Sequence, residues 1–224
     1  DLFGGDEMIA ITCNKDTACK SEEQGKIDLF KRMRPGEVPT TEGANILINN
    51  LFYDGKKYEL GRVGRYKYNK KLALATRIAG NVAAEDVVNE DGEILVAKGE
   101  KISLETANKI QNSGINVVYL AYTDEDGTAR SFKCIGNNTV DLDAFVNVNP
   151  REIGVLEKVY YPELKALMDE ITDEKELILA IQADLDKLVY KHITLDDIVS
   201  TVSYNLGLRY GFGPCDDIDH LGNR

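Results

Sequence analysis

The sequence predicts an α+β fold in which a discontinuous, mainly helical portion is interrupted by a small β-rich module. Apolar residues recur at helical intervals towards both ends of the chain, whereas short β-branched runs separated by glycine turns fill the middle. The chain has 224 residues, which is enough to bury a sizeable core. We find no repeat of fixed period, so a repeat architecture is not indicated.

The first part of the chain is predicted to be helical. Residues 24–34 have helical spacing, and Pro35-Gly36 should end this helix because proline has no amide hydrogen to donate. Thr40 is in position to cap a second helix. Asp54-Gly55 then marks a turn.

The middle of the chain is predicted to contain short strands and one helix. Residues 87–96 are typical of two strands about the Asp91-Gly92 turn. Ser103 is placed to cap a short amphipathic helix that ends before Gly114. The residues expected to face inward on this helix are Leu104, Ala107 and Ile110. Further strands are expected at about 115–120, 129–135 and 140–148.

Helical periodicity returns after Pro150. We expect a short helix over 161–169 and a longer one that starts at 172–175 and runs to 188. Thr194-Leu195-Asp196-Asp197 resembles a capping box, with aspartate in place of the usual glutamate or glutamine. The helix that it opens should have an inward face made of Ile198, Val202, Asn205 and Leu206.

These elements suggest three segments. Residues 1–78 and 190–224 are predicted to form one discontinuous lobe, 79–149 a β-rich insertion and 150–189 a helical segment that leads back to the lobe. The two ends of the chain would then pack together.

The net charge of −11 argues against a free-standing protein that grips DNA, because such binding depends on clustered lysines and arginines. Basic residues concentrate at 31–34 and 62–71, which we interpret as solvated surfaces. The first residues lack the basic and apolar regions expected of a secretory signal, and no apolar run of the chain approaches the ~18 residues that a membrane span needs. Its four scattered cysteines lack zinc-site spacing and indicate reduced thiols in the cytoplasm.

Asp216-Asp217-Ile218-Asp219-His220 is the densest group of possible metal ligands. Carboxylates and an imidazole can hold a divalent cation, but one loop rarely supplies a complete site, so an acidic loop is the favoured interpretation. Cys215 and His220 lack an identifiable orienting group for nucleophilic catalysis. The glycines at 61–64 and 211–213 do not have phosphate-loop spacing.

Four segments resemble motifs of the bacterial RNA polymerase β-subunit family, and they occur in the same chain order. Residues 32–40 resemble its RxRPGEPPT segment, with Val38 in place of the first of two prolines, and residues 58–72 resemble YDLxxVGRxKxNxxL. Residues 192–198 are similar to the helix entry before the family's terminal motif, which 216–224 resemble. Residues 91–99 are similar to an insertion in β subunits of low-GC Gram-positive bacteria.

The resemblance implies the later part of the β2 lobe, which forms one wall of the downstream DNA cleft. It also implies that the terminal loop contributes to a pocket for a guanine of the non-template strand. Asp219 would accept hydrogen bonds from the guanine edge, and Arg224 would contribute to the pocket wall. Ile218 and Leu221 would supply apolar contacts.

The resemblance further implies that no catalytic residue, metal or cofactor belongs to this chain, because the family's magnesium is held by the β′ subunit. The implied partners are the remainder of β, β′, σ factor, and downstream and non-template DNA. The first residues, Asp-Leu-Phe, and an end within a motif suggest a fragment, which is expected to be inactive alone. The alternatives are a stand-alone metal-dependent hydrolase that uses Asp216–His220 and a module whose insertion binds a regulator.

Overall fold

The computed structural model describes residues 2–213. Its fold is α+β, as the sequence predicts. The helices are α1 (Glu7–Lys15), α2 (Glu22–Met33), α3 (Thr41–Ile48), α4 (Gly61–Leu72), α5 (Leu74–Ile78), α6 (Leu104–Gln111), α7 (Tyr161–Glu170), α8 (Glu174–Ala183), α9 (Leu185–Leu188) and α10 (Leu195–Arg209). The strands are β1 (Val87–Val88), β2 (Ile94–Val96), β3 (Val117–Thr123), β4 (Ala129–Ile135), β5 (Thr139–Val140) and β6 (Val159–Tyr160).

The chain divides into two compact units. The first unit contains the residues up to Leu60 together with His192–Thr194, and the second contains Gly61–Lys191 and the chain from Leu195 onward. The predicted lobe, insertion and helical return segment have boundaries that differ from those of these two units. That division therefore stays a prediction.

In the first unit, side-chain caps start the helices. Thr40 Oγ1 accepts a hydrogen bond from Gly43 N at 3.0 Å, which confirms the predicted cap. Helix α2 ends at Met33, before Pro35-Gly36, also as predicted. Phe30 is buried between α2 and α3. A Cβ added to Gly43 would lie only 3.0 Å from Thr40 Oγ1, so glycine leaves room for the capping hydroxyl, whereas the Phe30 ring at 3.7 Å would be in ordinary contact.

In the second unit, the β3–β4 hairpin packs against α5 and α10. Its strands pair antiparallel over seven residues each, from Val117 opposite Ile135 to Thr123 opposite Ala129. Apolar side chains of the hairpin, the surrounding helices and the chain before α6 are shielded from water, which stabilises the fold by roughly 1.5–3 kcal/mol for each large side chain. The largest of these core residues are Leu72, Leu74, Ile78, Ile102, Ile110, Val118 and Leu120.

A further hydrophobic cluster of the second unit is formed by β5, β6 and helices α7 to α9. Its most buried members are Val159, Leu164, Ile181 and Leu188. The helical segment that begins near Tyr161 therefore has apolar contacts of its own.

Several predicted elements are confirmed. β1 and β2 form an antiparallel pair about Asp91-Gly92, where Gly92 has a φ of 82° that glycine adopts without strain. Ser103 Oγ accepts from Thr106 N at 3.0 Å and caps α6. The predicted strand at 129–135 is β4, and the one at 115–120 begins at Val117.

Other predictions are wrong. Residues 140–148 are not one strand, because the chain turns into a 3₁₀ helix at Leu142–Ala144 and Val146 N donates to Leu142 O. The predicted helix to 188 breaks at Asp184, which has non-helical backbone angles. Leu104 does not face inward but is 62% exposed. Within residues 2–213, every helix is too short or too polar to cross a membrane.

Candidate functional site

A buried ion pair joins α4 to α10. Arg65 Nη1 lies 2.9 Å from Asp197 Oδ1 and 2.8 Å from Oδ2, while Arg65 Nε donates to the carbonyl oxygen of Tyr190 at 2.8 Å. The two side chains are only 6% and 1% exposed. Charges this far from water persist only when paired and hydrogen-bonded, so the pair fixes α10 against α4.

Asparagine side chains extend this connection. Asn137 Nδ2 donates to Asp197 Oδ1 and to Asn69 Oδ1, each at 3.1 Å, and Thr139 Oγ1 donates to Asn137 Oδ1 at 2.8 Å. Because a carboxylate only accepts, Asp197 orients the Asn137 amide, which in turn orients that of Asn69. Asn69 Nδ2 is then left buried, with no hydrogen-bond partner among residues 2–213.

A second, partly buried arginine holds α10 against the β3–β4 hairpin. Arg77 Nη2 donates to Ser203 Oγ at 2.9 Å and Nη1 to Ser200 Oγ at 3.1 Å, and Nη1 also donates to the carbonyl oxygen of Ile135. Burial lowers the pKa of Arg77 from its usual value. Its guanidinium carbon lies 5.9 Å from the centroid of the Tyr204 ring, within cation–π range.

Asp196, the neighbour of Asp197, holds two other segments. It accepts from Asn138 Nδ2 at 2.9 Å and from the Tyr160 hydroxyl at 2.5 Å. Desolvation, together with the hydrogen bond to Asp196, raises the pKa of Tyr160, so its hydroxyl remains a donor at neutral pH. Consecutive aspartates thus connect α10 to separate parts of the second unit.

Aromatic contacts hold the chain just after α10. The Tyr122 and Tyr210 ring centroids lie 4.8 Å apart, and those of Phe132 and Phe212 are stacked at 5.3 Å. Tyr122 and Phe132 belong to the hairpin. The last described residues are therefore packed against β3 and β4.

These contacts change the interpretation of the basic segment at 62–71. It was expected to be a solvated surface, but Arg65 is buried and unavailable to a phosphate. Arg62 Nε lies 3.0 Å from Glu157 Oε1. In the segment at 31–34, Arg32 pairs with Asp28, and Arg34 with Glu37.

The predicted site residues lie outside the described residues. These are Ile218, Asp219, Leu221 and Arg224 of the base pocket, and Cys215, Asp216, Asp217 and His220 of the acidic loop. Within residues 2–213, no group of three or more histidine, cysteine, aspartate or glutamate side chains could hold a metal. Of the described cysteines, Cys134 is buried, and burial raises the pKa of its thiol.

Sequence reasoning identified the segments of Arg65 and Asp197 but not their contact. Their separation of 132 residues leaves no local pattern that predicts the pair. Asn137 lies in a part of the chain without a recognised motif, and no periodicity marks it as buried. Because Arg65 is charged and lies in a basic segment, sequence reasoning placed it on the surface.

No protein-family model matches the chain. Among curated proteins it is similar to a protein named DNA-directed RNA polymerase subunit beta from Clostridioides difficile, with 47% identity over 225 residues. Proteins of the same name from Clostridium acetobutylicum and Acetivibrio thermocellus are 48% and 47% identical over 225 and 227 residues.

Each of these alignments covers 100% of this chain and 18% of the relative. The chain thus spans less than a fifth of the length of the curated relatives that it matches. Their clostridial origin agrees with the low-GC Gram-positive pattern of residues 91–99. The chain therefore belongs to the bacterial DNA-directed RNA polymerase β-subunit family, in which it matches one segment of the subunit.

Proposed function

We propose that this chain is the later part of the β2 lobe of a transcribing RNA polymerase. There it lines one wall of the downstream DNA cleft and carries part of a pocket for a guanine of the non-template strand. It acts through position and recognition, while nucleotide addition, the nucleotidyltransferase activity of the whole polymerase, is performed elsewhere in the complex.

The observation that best supports this proposal is the buried ion pair between Arg65 and Asp197. It joins two of the segments that resemble the family, one on α4 and one on α10. Helix α10 is followed by Tyr210 and Phe212, which pack on the hairpin, and the terminal motif begins at 216. A recognition loop is more precise when the elements that carry it are rigid, so this connection suits a loop that must meet a base.

The chemistry of Asp219 suits guanine. An ionised carboxylate offers only acceptors, and guanine presents an N1–H and an exocyclic amine on one edge. In the proposed pocket, Asp219 accepts one hydrogen bond from each of these two guanine donors. Arg224 contributes to the pocket wall, and Ile218 and Leu221 give apolar contacts.

The proposed partners are the remainder of β, the β′ subunit, σ factor, and downstream and non-template DNA in the cytoplasmic holoenzyme. The net charge of −11 agrees with DNA being held mainly by basic surfaces of other domains. Magnesium belongs to β′ in this proposal, and the chain itself needs no cofactor. The relatives found give no support to a stand-alone hydrolase or a separate regulator-binding module.

The test uses polymerase reconstituted with the complete β subunit. Open-complex lifetimes are measured on promoters with guanine or thymine in the non-template strand at the downstream bubble edge. A two-bond contact to a base is worth about 1–3 kcal/mol, so Asp219→Ala should reduce the preference for guanine about fivefold or more. Asp216→Ala, a carboxylate of the same loop with no assigned base contact, is the control. An unchanged preference in Asp219→Ala, or an equal loss in both variants, overturns the proposal.

A further inference from the structure

A cavity of about 850 Å³ lies in the second unit. Tyr66, Asn69 and Lys70 of α4 form one side, and Asn108 of α6 and the segment around Arg151 contribute to the rest. Its volume is within the range of about 300–1,000 Å³ that is typical of small-molecule sites. None of these residues belongs to the proposed base pocket.

Half of the charged side chains that line the cavity are already in ion pairs. Lys158 Nζ lies 2.7 Å from Asp141 Oδ2, and Glu157 is held by Arg62. Within residues 2–213, Lys70 and Arg151 make no ion pair, and Asp143 is the remaining acidic side chain of the lining. The lining carries three cations and three anions in all, but among the side chains that make no ion pair in this part of the chain Lys70 and Arg151 face only one acid, Asp143.

The same cavity offers apolar faces beside these cations. Tyr66 is 59% exposed and Leu156 is 53% exposed, so both side chains can pack against the face of a planar ligand ring. Lysine and arginine side chains are common ligands of phosphate, and an exposed aromatic side chain is a stacking surface for any base. Asn69 also lines the cavity, and its Nδ2 is a buried donor without a hydrogen-bond partner among residues 2–213.

We propose that this cavity binds a nucleoside phosphate, with the base against Tyr66 and the phosphate between Lys70 and Arg151. The binding is non-covalent and is separate from the proposed role of the lobe in holding DNA. Asn108, whose side chain is exposed, is available to hydrogen-bond the base or the sugar.

The test titrates a fluorescent ADP analogue into the full 224-residue chain at low ionic strength, because salt screens exposed charges. Unlabelled ADP should displace the probe at least about tenfold more effectively than adenosine or inorganic phosphate, since it makes both kinds of contact. Absence of binding at about 1 mM probe, or displacement by phosphate as effective as by ADP, overturns the proposal.

Variants locate the site. Tyr66→Ala and Arg151→Gln should each weaken binding by about tenfold. Lys67→Gln is the matched control, because Lys67 is an exposed cation of the same helix that does not line the cavity. Circular dichroism spectra and thermal melting verify that each variant is folded. Equal affinity in all three variants overturns the assignment and leaves the proposed role of Asp219 unaffected.

Discussion

At the scale of single residues, the same helix carries two arginines whose ion pairs differ in their surroundings. Arg65 and its partner Asp197 are buried, whereas the Arg62 side chain is 66% exposed in its pair with Glu157. A surface pair contributes about 0–1 kcal/mol. Removing one partner of a buried pair costs about 3–5 kcal/mol because the other charge is left without compensation.

We therefore expect Arg65→Met to lower the free energy of unfolding by about 3–5 kcal/mol and Arg62→Met by less than about 1 kcal/mol. Urea denaturation followed by circular dichroism measures both. The double variant Arg65→Met with Asp197→Leu should recover much of the loss, since it leaves no buried charge. Similar losses for Arg62→Met and Arg65→Met would contradict the structural interpretation of the pair.

At the scale of elements, α10 shows why part of the fold could not be predicted. Its predicted inward face included Asn205, which is exposed, while Ser200 and Ser203 are fully buried. Apolar periodicity identifies a helix face that packs in a hydrophobic core. Here Leu206 is buried as predicted, but the buried face also carries serines that accept from Arg77, and these hydrogen bonds come from a distant segment.

The elements that were predicted correctly depend on local signals. Thr40 and Ser103 cap helices through hydrogen bonds to residues three positions later, and Asp91-Gly92 defines a turn by backbone preference alone. Helix α4 gave no such signal, because it begins at a glycine and two of its three buried residues, Arg65 and Asn69, are polar. The motif at 58–72 indicated a resemblance to the family but did not predict that this segment forms a helix.

Ser203 should contribute more to stability than a side-chain position of α10 that faces water. Its hydroxyl accepts from Arg77 Nη2 at 2.9 Å and from Ile135 N at 3.0 Å. Ser203→Ala leaves these buried donors with fewer acceptors, which should cost about 1–3 kcal/mol. Asn205→Ala on the exposed face should stay within about 0.5 kcal/mol.

Thermal or urea unfolding of the two variants, recorded side by side, gives the comparison. The Ile135 amide should also exchange its hydrogen faster in Ser203→Ala, which hydrogen-exchange measurements can resolve. A Ser203→Ala variant as stable as Asn205→Ala would show that α10 does not depend on this contact.

At the scale of the whole molecule, the predicted insertion at 79–149 is not attached through its ends alone. The Ala75 amide donates to Gln111 Oε1 at 2.9 Å, Asn137 reaches Asp197, and the hairpin carries Phe132 and Ile135 against α10. Ile78 of α5 and Leu120 of β3 are both fully buried, and α5 contacts β3. The segment therefore completes the second unit whatever else it binds.

Deletion of residues 80–149 should consequently abolish cooperative unfolding rather than leave an intact lobe. The deletion removes Gln111, which accepts from the Ala75 amide, and Asn137, which donates to Asp197. It also exposes core side chains such as Leu72 and Leu74, each worth roughly 1.5–3 kcal/mol of burial. Once several such side chains are exposed, the summed loss exceeds the free energy of unfolding that is usual for a domain, about 5–15 kcal/mol. Calorimetry of the deleted and complete chains measures the difference.

A smaller deletion at the hairpin tip is the matched control. Glu125 and Asp126 are exposed, and the turn closes through Asp124 N donating to Thr128 O and Gly127 N donating to Asp124 O. Replacing 124–128 with a two-residue Asn-Gly turn should preserve β3–β4 pairing and a single cooperative transition. If the chain without 80–149 melted as cooperatively as this control, the helices of the second unit would form a core without the insertion, and the connection from Arg65 to α10 would be sufficient on its own.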